Sequence, residues 1–114
     1  MPAVKVKEIN IERGMPTVEN AMKKMVNDLS TVKRTGCRAV VIVHGYGSTG
    51  QGGAIKTAAG AKLKDPSLRG IVRASVAGEN WQSRKREFTD ICPQLRDFSR
   101  YVDGNKGITV VLLR

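Results

Sequence analysis

Residues 40–53 constrain this chain more than any other stretch. Val40-Val41-Ile42-Val43 is a short unbroken β-branched run, and His44-Gly45-Tyr46-Gly47-Ser48-Thr49-Gly50-Gln51-Gly52-Gly53 follows it directly. Such a run suits a central parallel strand whose two faces are both covered by helices. A loop that leaves a strand and opens a helix presents unpaired backbone N–H groups at the positive end of the helix dipole. Five glycines within residues 45–53 let an anion approach that backbone with no Cβ in the way. The stretch therefore predicts an α/β fold with an anion-binding loop at the end of its central strand.

The flanking sequence alternates strand and helix patterns. Val4 and Val6 alternate with Lys5 and Lys7, and Ile9 and Ile11 follow, which predicts a first strand over 4–12. Arg13-Gly14-Met15-Pro16 makes the turn, Thr17 is an N-cap, and Glu19 sits in the first helical turn, where the dipole favours an anion. Val18, Ala21, Met22, Met25, Leu29 and Val32 share one helical face, so the helix runs to about residue 33 and Gly36 ends it. A second helix covers about 54–64 and stops before Pro66, with Ile55, Ala58, Ala59 and Leu63 inward. Further strands fall at 70–76 and 108–113. Right-handed crossovers make the first three strands parallel, and the last returns antiparallel, at an edge or between two strands. The expected architecture is a two-layer α/β sandwich, β-α-β-α-β, an insertion, then β, with a mixed four-stranded sheet in a single domain spanning 1–114. The insertion, 79–104, holds Trp81, Phe88, Phe98 and Tyr101. These aromatics either cap the sheet as core, the preferred reading, or form a docking surface for a protein.

Two phosphate-binding patterns overlie the loop. Gly45-x4-Gly50 has P-loop spacing, but Gln51-Gly52 stands where Lys-Ser/Thr is required, so no side chain there serves the outer phosphates or a magnesium ion. The NTPase reading is rejected. Gly45-x-Gly47-x-x-Gly50 satisfies the dinucleotide spacing, with Glu79 as the acid for the ribose. A strand and helix precede the loop, however, and little chain follows it, which places this reading behind the others. His44 ends the central strand, where sites form in open α/β sheets. There it can contact a phosphate, move a proton near neutral pH, or hold the loop backbone.

The charge points to a polyanionic partner. Twenty Lys and Arg face ten Asp and Glu, a net of +10, beyond the roughly 2 to 8 that solubility asks of a small domain. Residues 1–78, which carry the loop, hold 13 of the basic and 5 of the acidic residues. An excess of this sign attracts nucleic acid or an anionic membrane. No apolar run approaches the roughly 18 residues of a spanning helix, and the N-terminus lacks a signal-peptide pattern. Cys37 and Cys92 belong to no CxxC pair, so neither a metal site nor a cofactor is expected. Reduced cysteines without an export signal fit a cytoplasmic protein, expected as a monomer.

The run from Val40 through His44-Gly45-Tyr46-Gly47-Ser48-Thr49-Gly50 resembles the Smr (small MutS-related) domain family, whose apolar strand ends in HGxG with another glycine shortly after. Ile9-Asn10-Ile11-Glu12-Arg13-Gly14, Thr17-Val18-Glu19-Asn20-Ala21 and the closing Gly107-Ile108-Thr109-Val110-Val111-Leu112 resemble its opening and final elements. The resemblance implies a fold similar to the C-terminal domain of translation initiation factor three. It also implies DNA or RNA binding and, in some branches, endonuclease activity, with sites on the first-strand motif and the HGxG loop. The family's first motif is typically Leu-Asp-Leu-His-Gly; here Asn10 stands for the acid and Glu12, or Arg13, for the histidine.

The leading expectation is a nucleic-acid-binding domain, with the ribosome among its possible settings. Its contacts are His44, Gly45, Tyr46, Gly47, Ser48, Thr49, Gly50, Lys56, Arg13 and Arg38. An enzyme would use Glu12 or His44 as base and Arg13 or Arg38 as charge stabiliser. The alternatives are a protein-interaction module without catalysis and, behind it, a dinucleotide-binding domain.

Overall fold

The computed structural model describes residues 5–14, 16–45 and 52–114. Its strands are β1 (Val6–Asn10), β2 (Ala39–Val43), β3 (Val72–Ala77) and β4 (Ile108–Leu113). Its helices are α1 (Val18–Arg34), α2 (Gly52–Leu63), α3 (Trp81–Ile91) and a single turn, α4 (Ser99–Val102). Short 3-10 turns lie at Pro66–Leu68, Gly78–Asn80 and Pro93–Phe98.

The local signals act as their chemistry dictates. The Thr17 side chain accepts a hydrogen bond from the Asn20 backbone N–H at 3.1 Å, capping α1. Gly36, at φ +89°, takes the left-handed conformation just beyond that helix. Asp65 caps the turn that carries Pro66 by accepting from the Ser67 N–H at 2.8 Å.

The sheet order is β1-β2-β4-β3. β1 and β2 are parallel, with Asn10 opposite Val43. β4 lies antiparallel between β2 and β3, with Ile42 and Ala77 both opposite Thr109. The first three strands therefore point the same way and the last returns between two of them. All six residues of β4 are buried, as a central strand demands.

Period-two alternation divides the core. Ile9, Ile11, Val40, Ile42 and Val111 face Met25 and Leu29 of α1 and Ile55, Ala59 and Leu63 of α2. Val6, Val41, Val110 and Leu112 face Trp81, Phe88, Leu95 and Val102 from residues 79–104. The expected two layers are thus the sheet with α1 and α2. The insertion adds a third layer, because the second sheet face is apolar as well and must be covered. Trp81 and Phe88 meet edge to face at 6.0 Å, and the Trp81 indole N–H donates to Ser99 Oγ at 3.1 Å. These two aromatics are core; Tyr101 is exposed. Among the described residues, no helix is long and apolar enough to cross a membrane.

Candidate nucleic-acid interface

The parallel strands β1 and β2 end side by side, and the candidate residues gather at that end. Beyond β1, the chain turns on Asn10, whose Oδ1 accepts from the backbone N–H groups of Glu12 at 3.0 Å and Arg13 at 2.9 Å. This Asx turn leaves Arg13 exposed and Glu12 half-buried. The Ile11 N–H donates to the Val43 carbonyl at 2.9 Å, which ties the turn to the end of β2.

Beyond β2, the backbone N–H groups of His44 and Gly45 both donate to the Gly107 carbonyl, at 2.9 and 3.1 Å. Gly45 has φ +71°, and a Cβ placed there would collide with the Glu12 carboxylate. The left-handed backbone favours glycine at this position, and any side chain there would have to push aside the flexible end of Glu12. The same approach places Glu12 against the start of the glycine loop.

His44 is fully buried. Its Nδ1 lies 2.6 Å from the Gly45 carbonyl oxygen and its Nε2 lies 2.8 Å from Thr109 Oγ1. A carbonyl can only accept, so Nδ1 carries the proton. In the neutral ring Nε2 then accepts from the Thr109 hydroxyl. Burial is the main cause that holds His44 below its ordinary pKa; the Lys56 ammonium acts in the same direction, opposed by the Gly45 hydrogen bond and by Glu12 and Glu79. The imidazole is a neutral bolt between the strand end, the loop start and β4.

Lys56, in α2, is the next cation at this end. It forms an ion pair with Glu79, whose carboxyl lies below the usual range, chiefly through that hydrogen bond and with further help from the charges of Lys56 and Lys106. Glu12, His44, Gly45 and Lys56 thus converge, while Arg13, one residue beyond Glu12, lines a groove between β1 and α1. Arg38 does not join them. It precedes β2 at the opposite end of the strand, where its backbone N–H donates to the Lys5 carbonyl at 2.8 Å and its own carbonyl accepts from Leu113. Six residues of extended chain separate it from His44, about 20 Å at roughly 3.3 Å per residue. Tyr46, Gly47, Ser48, Thr49 and Gly50 lie outside the described residues. Thr109 was not singled out from the sequence, although a hydroxyl within the apolar run Ile108–Leu113 was the available signal.

Among proteins of known structure, the chain is similar to the Smr domain of Thermus thermophilus MutS2. The TM-score is 0.58 and the identity 24%, over 95% of this chain and 98% of that one. No family model matches the sequence, and no curated protein matches it. The four-stranded mixed sheet, its helices and the insertion over its second face accordingly make up the fold of an Smr domain.

Proposed function

We propose that the protein binds the phosphodiester backbone of nucleic acid at the end of the sheet where β1 and β2 terminate. The observation that carries this reading is that Lys56 of α2 acts on His44 at the end of β2, with the exposed Arg13 on the turn beyond β1, one residue past the Glu12 that lies against Gly45. The net charge of +10 supports it, since a cationic surface binds nucleic acid largely by releasing condensed counterions. The Smr fold is consistent with it. Fluorescence anisotropy with labelled DNA and RNA oligonucleotides is the test. Binding should weaken steeply with salt, with a log–log slope of about −0.7 to −0.9 per phosphate neutralised. Absence of binding at low salt, or binding indifferent to salt, overturns the reading.

Endonuclease activity is a second reading, and the placement of Glu12 favours it. His44 has both ring nitrogens engaged and is buried, so a base acting on water at this end would be Glu12, half-buried beside Gly45. Glu12→Gln should then abolish cleavage of labelled RNA or nicking of supercoiled DNA while oligonucleotide binding persists. Intact substrates with the unaltered protein, both with and without Mg²⁺, dispose of this reading and leave the binding one standing.

A further inference from the structure

β3 is the edge strand next to β4, and α2 does not cover its inner face completely. A groove of about 380 Å³ remains between them, within the roughly 300–1,000 Å³ of small-ligand sites. Its first wall is Lys56 and Gly60, four apart on one face of α2, continued by Lys64 one residue beyond the helix end. A Cβ on Gly60 would meet nothing within 4 Å, so the centre of that wall is open. The floor includes Ser75, Ala77 and Thr109. Ala77 and Thr109 are cross-strand partners, and Ser75 opposes Val111 of the helix-side core; all three therefore share the α2 face of the sheet. The far wall includes Asn80, Ser83 and Arg84. Arg84 is fixed in place: it donates to the Ser75 carbonyl at 3.1 Å, to the Glu87 carboxylate at 3.0 and 3.1 Å, and lies 5.0 Å from the Phe88 ring centre.

Three cations and four hydroxyl or amide side chains thus line a groove that, among the described residues, has no acidic or aromatic side chain in its lining. This composition suits a phosphodiester and offers no stacking platform for bases. Thr109 on the floor is bonded to His44 Nε2, which joins the groove to the start of the glycine loop. Among the described residues, Lys64 has no side-chain partner. Lys56 is held by Glu79, a carboxylate on the cation that a phosphate would take.

We infer that this groove is the track for a single strand of nucleic acid, read through its phosphates and sugars. A duplex carries its phosphates on a convex surface and does not reach a floor on which Thr109 is 8% exposed. Glu79 holds Lys56 in the absence of the strand and yields it to an incoming phosphate. The inference rests on the nucleic-acid reading above and gives it a strand type and a path.

Anisotropy titrations with labelled ten-nucleotide oligo(dT), oligo(dA) and oligo(U), and with a blunt duplex, test it. The protein should bind the single strands at least about tenfold tighter than the duplex, with the dT and dA affinities within a few-fold, as expected of backbone recognition. The dT and U arms distinguish DNA from RNA. Lys64→Glu should weaken single-strand binding about tenfold or more, and Lys64→Ala should reduce the salt slope by about 0.7. Gly60→Leu should block the groove, with Trp81 fluorescence and thermal melting reporting that the fold is kept. Glu79→Gln should tighten binding several-fold. Glu19→Gln, the same charge change beside Lys23 on α1, should not. Unaltered binding by Lys64→Glu and Gly60→Leu, equal tightening by Glu79→Gln and Glu19→Gln, or a preference for duplex overturns the groove while leaving the nucleic-acid reading intact. Absence of any binding by the unaltered protein overturns both.

Discussion

The imidazole Nε2 of His44 lies 2.8 Å from the hydroxyl of Thr109, a residue 65 positions further along the chain. This bond fastens the end of β2 to β4 at the point where the glycine loop begins. Thr109→Val keeps the shape but removes the donor, leaving a buried ring nitrogen unpaired. An unsatisfied buried group costs about 1–3 kcal/mol. Urea unfolding should register a loss of that size, and Thr109→Ser should recover most of it. A Val variant as stable as the unaltered protein contradicts the assignment of the bond.

The neutral state of His44 gives stability a pH dependence of defined sign. Burial holds the native pKa below the ordinary 6.5, so the unfolded chain takes up a proton where the native protein does not. Stability therefore rises with pH wherever that holds. The contribution is fully present above about 6.5 and is lost as pH falls from there through the native pKa. The urea midpoint should be lower at pH 5.5 than at pH 7.5, and His44→Gln should flatten the difference. A dependence that survives this substitution must come from another group.

Gly45 answers to two constraints that can be separated. Gly45→Ala meets a left-handed backbone, which costs roughly 1–2 kcal/mol, and a collision with the Glu12 carboxylate. Glu12→Ala should relieve the second constraint only. Denaturation of the single and double variants should show the double more stable than the sum of the two losses. Strict additivity would mean that the Glu12 carboxylate, at the end of a flexible side chain, moves aside without cost and that the backbone alone sets the glycine.

The insertion holds the second sheet face. Trp81 and Phe88 are fully buried, and truncating such an aromatic to alanine costs about 3–5 kcal/mol. Phe88→Ala should therefore lower the melting temperature sharply. Intrinsic Trp81 fluorescence should resist iodide quenching in the native protein and become quenchable on unfolding. A quencher-accessible tryptophan in the native protein would falsify the placement of residues 79–104 as a covering layer.

Outside residues 79–104, the sequence by itself determined the elements and their order. The β-branched run before His44, the single apolar face of α1 with its Thr17 cap, and the run Ile108–Leu113 are local patterns, because side-chain periodicity and capping act over a few residues. It also placed the HG turn at a strand end and allowed the last strand to return between two others. The tertiary structure decided what depends on distant partners. Strand order put Arg38 at the opposite end of β2 from His44 and brought Thr109 to its ring. Burial made that histidine a neutral structural bolt, where position alone left holding the loop backbone level with contacting a phosphate or moving a proton. The second apolar sheet face turned an irregular aromatic segment into a third layer. The groove between α2 and β3 arises from the spacing of a helix and an edge strand that meet only in the folded chain, so no single stretch of sequence encodes it.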